Sequence, residues 1–155
     1  MVGTLLGVGV SHVFQQRALV RGERFTRAEQ LRQERLQVYS SFAGALMMYR
    51  RAQMERWLIC NGGEFEESHA ALRARAFDLR VEVYEGLFRV RLVTGGAQAG
   101  PEGAAEAEAA LERAQEALDC ITRIPKAEGR EEFLAFCTEA KEAVNDFVAL
   151  AKNHL

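Results

Sequence analysis

The sequence predicts an all-α fold, an antiparallel bundle of about four helices with the first two long. Three observations carry that reading. Only two prolines stand in 155 residues, while Ala, Glu, Arg and Leu are abundant; these residues lose least on entering a helix. Strong breakers occur at only three places. Between them, apolar residues recur at the helical period of 3.6.

The first helix reaches from the N-terminus, or at least from Thr26, to Cys60, where "CNGGEFEES" interrupts it. Asn-Gly-Gly is a turn signal because glycine adopts backbone angles closed to other residues. Leu31, Val38, Phe42, Leu46 and Tyr49 fall on one stripe, and Leu36, Ala43, Met47, Met54 and Leu58 on another. Two apolar stripes on one helix imply two neighbours. The second helix spans Ser68 to Thr94, with Ser68 as N-cap. It again has two stripes: Phe77, Val81, Tyr84, Phe88 and Leu92, then Leu72, Ala76, Leu79, Val83, Leu87 and Val90.

"GGAQAGPEG" ends that helix, and Pro101 suits the first turn of the third, which runs to Arg123. "IPKAEG" makes the last turn before a helix from Arg130 to Lys152. Each of these two helices has a single apolar face: Leu111, Ala114, Leu118 and Ile121, then Phe133, Phe136, Cys137, Ala140, Val144, Phe147 and Ala151. Short loops make neighbours antiparallel. One local rival exists. "LRVEVYEGLFRVRLV" alternates apolar and charged residues around Glu85-Gly86, as a hairpin would. The helical stripes pass through Gly86 in phase, and an isolated hairpin would have no sheet to join. Helix is therefore expected.

The hydrophobic fraction of 48% and charged fraction of 27% belong to a folded domain. The net charge of -2 is unevenly spread. Arg17–Cys60 holds nine Arg against four Glu; Asn61–Leu155 holds eleven Lys and Arg against eighteen Asp and Glu. Cys60, Cys120 and Cys137 form no CxxC and are odd in number, so free thiols in a cytoplasmic setting are expected. Trp57 is expected at the core or its edge.

Chemistry is sparse. The three histidines are His12, His69 and His154. Glu66 and His69 have ExxH spacing, but a di-metal carboxylate bundle needs a second such pair, and neither other histidine supplies it. There is no nucleophile motif and no phosphate-binding loop. Arg17, Arg21, Arg24 and Arg35 align on one face without interleaved aromatics, so nucleic acid is not expected as a partner. No enzyme activity, metal or cofactor is expected.

The opening "MVGTLLGVGVSHVFQQR" divides the chain into an apolar, anchor-like segment, 1–16, and a single bundle domain, 17–155. Val2 to Phe14 gives thirteen residues, about 20 Å of helix at 1.5 Å each. A bilayer core of about 30 Å needs about 20. Six to ten further apolar residues upstream of Met1 would complete a span. Gly3 and Gly7 have the GxxxG spacing of close membrane helices. Arg17, Arg21, Arg24 and Arg27 follow, a basic flank of the cytoplasmic side. Val2, Leu5, Leu6, Val13 and Phe14 are the candidate interaction face of the segment.

The run "RAEQLRQERLQVYSSFAGALMMYRRAQMERW" resembles a group of small uncharacterised actinobacterial proteins. Their features are a glycine-rich apolar N-terminal helix, a basic "RxEQxRQxR" run, and "Y..FAGA" and "YRRAQ" on one long helix. Here these are Arg27–Arg35, Tyr39–Ala45 and Tyr49–Gln53, and Leu72–Thr94 is similar to the group's second helix. The resemblance implies a membrane-tethered helical bundle of unassigned role. The expected function is thus a non-enzymatic, coiled-coil-like interaction protein. Its bundle would lie on the cytoplasmic side, touching a membrane surface or short membrane helix, an unidentified protein partner, or another copy as a homo-oligomer. The alternative is a soluble bundle that uses its apolar first helix to self-associate or bind a partner.

Overall fold

The computed structural model describes residues 4–64, 67–95 and 101–155, with side chains over 25–64, 67–95 and 103–155. Its elements are α1 (Thr4–Cys60), α2 (His69–Thr94), α3 (Pro101–Arg123), a 3₁₀ turn (Ile124–Lys126) and α4 (Arg130–Asn153). No strand occurs among the described residues, and 79–93 is helical, so the hairpin alternative is overturned. The chain divides into two compact units, Met1–Glu34 and Arg35–Leu155.

Helix ends are set by local caps and turns. After α1, Gly62 takes φ +89, and the Gly63 N–H donates to the Leu58 carbonyl at 2.8 Å. That left-handed step closes the helix with a 6→1 bond, and the Leu58 carbonyl also accepts from the Asn61 N–H at 3.1 Å. Ser68 Oγ accepts from the Ala71 N–H at 3.2 Å and starts α2. Glu131 and Glu132 sit in the first turn of α4, where negative charge meets the helix dipole. Glu132 also reaches back to the Glu128 N–H at 2.7 Å.

Within Arg35–Leu155, α1 runs antiparallel to α4. Tyr39 and Phe42 both meet Phe147 edge-on, with ring centroids 6.0 and 5.2 Å apart. Further along, Arg50 donates to the Cys137 carbonyl at 2.9 Å. At the far end Trp57 stacks on Phe133 at 4.0 Å and donates Nε1–H to the Ala127 carbonyl at 2.9 Å. Trp57 is therefore core, as its sequence position implies.

α1 also runs antiparallel to α2. Phe42 lies against Gly86, Glu55 pairs with Arg75, and Cys60 Sγ lies 3.3 Å from His69 Nε2. Gly86 allows a close approach there. A Cβ there would sit 2.8 Å from Phe42 Cδ2, and Phe42 has no exposed surface.

α3 packs on α2 and α4, and Arg123 of α3 pairs with Glu139 of α4 at 2.5 Å. The result is a four-helix bundle with one core. Phe42, Leu46, Tyr49, Leu118, Ile121 and Phe147 are among its fully buried side chains. Fully burying a side chain of this size contributes roughly 1.5–3 kcal/mol. In the unit ending at Glu34, Glu29 accepts from Gln33 at 3.4 Å and pairs loosely with Arg32 at 3.9 Å.

The two stripes of the first helix fare differently. Phe42, Leu46 and Tyr49 are buried, and α1 does touch two neighbours. Leu36, Met47 and Leu58 of the second stripe remain exposed, as does Met48. The neighbours meet α1 through one broad sector centred on Tyr39, Phe42 and Tyr49, which leaves those residues outside it.

Candidate interaction face

The outer side of α2 is the feature the fold leaves unexplained. Its inner stripe, Leu72, Ala76, Val83, Leu87 and Val90, is buried. Its other apolar stripe faces out. Phe77 is 66% exposed, Phe88 57% and Leu92 78%, with Val81 and Tyr84 also open. Five large apolar residues at helical spacing make one continuous strip along about four turns. Isolated exposed apolar residues are ordinary, but contiguous strips mark contact surfaces.

The strip has charged borders of opposite sign. On its α3 side stand Arg73 and Arg80. With Arg56 and Lys126 they edge a cavity of about 530 Å³ whose lining includes no carboxylate. The Arg56 Nε is buried there with no hydrogen-bond partner among the described residues, while its Nη1 donates to Gln53 at 2.8 Å. Arg80 also lies over the Tyr84 ring, 5.6 Å from its centroid, a cation–π distance. On the α1 side stand Asp78 and Glu85; Glu85 edges a second cavity of about 370 Å³ that also touches Phe42 and Gly86.

A second cluster lies at the end of the chain. His154 is 95% buried, since only 5% of it is exposed. Its Nδ1 shares a short hydrogen bond with the Tyr39 hydroxyl, and its carbonyl accepts from Arg35 at 3.4 Å. Burial holds the imidazole below its ordinary pKa, with Arg35 adding to the effect and Glu106 opposing it. Burial likewise pushes the Tyr39 hydroxyl up to about 12, against the pull of Arg35. Both groups are therefore neutral near pH 7. Their evident role is to fasten the end of α4 to α1. Local sequence carried no signal for this pairing, because the partners lie 115 residues apart.

The other sequence candidates are distributed as follows. Val2 lies outside the described residues. Leu5, Leu6, Val13, Phe14, Arg17, Arg21 and Arg24 fall on α1, where their side chains lie outside the described residues. Arg27 is exposed on α1. Glu66 lies outside the described residues, and His69 is exposed at the first position of α2. No group of three or more His, Cys, Asp or Glu side chains suited to a metal occurs among the described residues. All three cysteines are free; Cys120 and Cys137 are buried, and burial raises the pKa of both thiols. No helix among the described residues is long and apolar enough to cross a membrane.

The model of the KilB plasmid transfer protein family matches residues 36–155. The chain belongs to that family. The match begins one residue inside the compact unit that starts at Arg35, so the KilB region and the helical bundle coincide. Neither the curated proteins nor the solved structures contain a match to the chain. The exposed α2 strip lies wholly within the KilB region.

Proposed function

We propose that this KilB-family chain is a non-enzymatic interaction module in plasmid transfer, and that the outer face of α2 is its binding surface. The exposed Phe77–Leu92 strip carries this reading. The family description supplies the process. Aromatic residues are enriched in the cores of protein interfaces, where they supply large contact area at low entropic cost. Phe77, Tyr84 and Phe88 fit that role, and the charged borders fit a polar rim.

The test is the transfer frequency of a plasmid whose copy of this chain carries Phe77→Ser, Val81→Ser and Phe88→Ser. Loss of transfer with wild-type helicity and abundance is expected. Wild-type transfer would overturn the reading.

The apolar opening and its arginine flank support a tether that rests the bundle on the cytoplasmic face of a membrane. An apolar segment followed by arginines suits the membrane interface, where anionic lipid attracts basic residues. The absence of a spanning helix among the described residues also suits the alternative, self-association of a free bundle through its first helix. Membrane fractionation separates them. Full recovery away from membranes removes the tether, and loss of membrane recovery on deleting 1–16 supports it.

A further inference from the structure

The charged borders of the α2 strip say what would cover it, a step that rests on the interaction reading above. Written as a heptad, α2 places Phe77 and Tyr84 at d, and Val81 and Phe88 at a. Arg73 and Arg80 then occupy g, and Asp78 and Glu85 occupy e. All four charged residues are exposed. None has an ion pair among the described residues, in contrast to Arg75, Arg113 and Arg123.

In a parallel two-stranded pair, each g residue faces the e residue of the next heptad on the other strand. Two copies of α2 would therefore bring Arg73 to the other copy's Asp78, and Arg80 to its Glu85. Both charged border pairs would be of opposite sign. Antiparallel pairing joins g to g and e to e, which would set arginine against arginine and carboxylate against carboxylate. Unpaired short helices are marginal in water, but α2 is already held helical by the bundle, so pairing carries no nucleation cost.

We propose that the outer face of α2 binds the same face of a second copy of this chain, with the two α2 helices parallel and in register. Val81 and Phe88 meet their own counterparts across the two-fold axis. The next d position is Arg91, so the apolar seam ends at Phe88, with Leu92 at e on its border.

Light scattering on the full chain over a range of concentrations tests this, with charge-swap variants at exposed positions. The wild type is expected to form a dimer. R80E and E85R should each weaken it at least tenfold, by placing like charges together. The R80E/E85R double variant should recover it, and an equimolar mixture of the two single variants should form a heterodimer. Val81→Cys in a Cys60→Ser background should cross-link on oxidation, because in-register a positions bring the two Cα atoms within disulfide reach.

A wild type that stays monomeric up to millimolar concentration overturns the pairing. So does a dimer indifferent to the swaps. A double variant that fails to recover the dimer while circular dichroism shows it folded overturns the parallel register. The two readings fail separately. A monomeric chain in which the strip variants still abolish transfer leaves the interaction reading standing with a different partner. A dimer through this face, with transfer unaffected by the strip variants, removes the strip from transfer and keeps the pairing.

Discussion

α2 carries two apolar stripes of similar length, and the bundle uses only one. Leu87 and Phe88 are neighbours in sequence, yet the first is 3% exposed and the second 57%. The inner stripe is built of Leu, Ala and Val, and Gly86 beside it lets α1 come close. The outer stripe is built of Phe, Tyr, Val and Leu and is exposed along its length. Apolar periodicity therefore states that a face is to be covered. It does not state whether the cover comes from the same fold or from outside it.

Substitutions sharpen that contrast, the deepest first. Phe42→Ala empties a fully buried site shared by α1, α2 and α4, and should cost about 3–5 kcal/mol in denaturant unfolding. Leu87→Ala on the inner stripe should cost about 2–5 kcal/mol. Gly86→Ala pits helix propensity against space. Alanine gains about 1 kcal/mol as a helix former, but its Cβ would press on the Phe42 ring from 2.8 Å, at about 1–3 kcal/mol. A net loss is expected, and a stabilised variant would show that α1 and α2 part readily.

His154 gives a pH-dependent effect. Its folded pKa is depressed, so the unfolded chain binds more protons as the pH falls below about 6.5. Stability should be full above that value, fall as the pH drops towards the folded pKa, and level off below it. His154→Gln should flatten that part of the unfolding profile. Phe88→Ala should have the smallest effect, within about 0.5 kcal/mol of wild type at concentrations low enough to leave the chain monomeric, because its side chain then stands in solvent.

Much of this fold is legible in the sequence because its stops are local. Asn61-Gly62-Gly63, Ser68 and Pro101 act through their own backbone geometry and capping groups, so the bounds of α2 and α3 follow closely from sequence. The stripes are legible for the same reason. Which stripe is buried is not, because that depends on where α1 and α3 settle. Phe77, Val81 and Phe88 read as core candidates in sequence and are surface in the fold. His154 shows the opposite failure: it stands one residue from the end of the chain, yet it is buried by contact with Tyr39. Long-range partners of that kind leave no local pattern.

The outer face of α2 is proposed to serve binding and not folding. Phe88→Ser tests it most directly, through plasmid transfer frequency measured on a chain whose unfolding midpoint has been compared with wild type. An unchanged midpoint, at concentrations low enough to leave both chains monomeric, and a loss of transfer are expected. Wild-type transfer from that variant would contradict it.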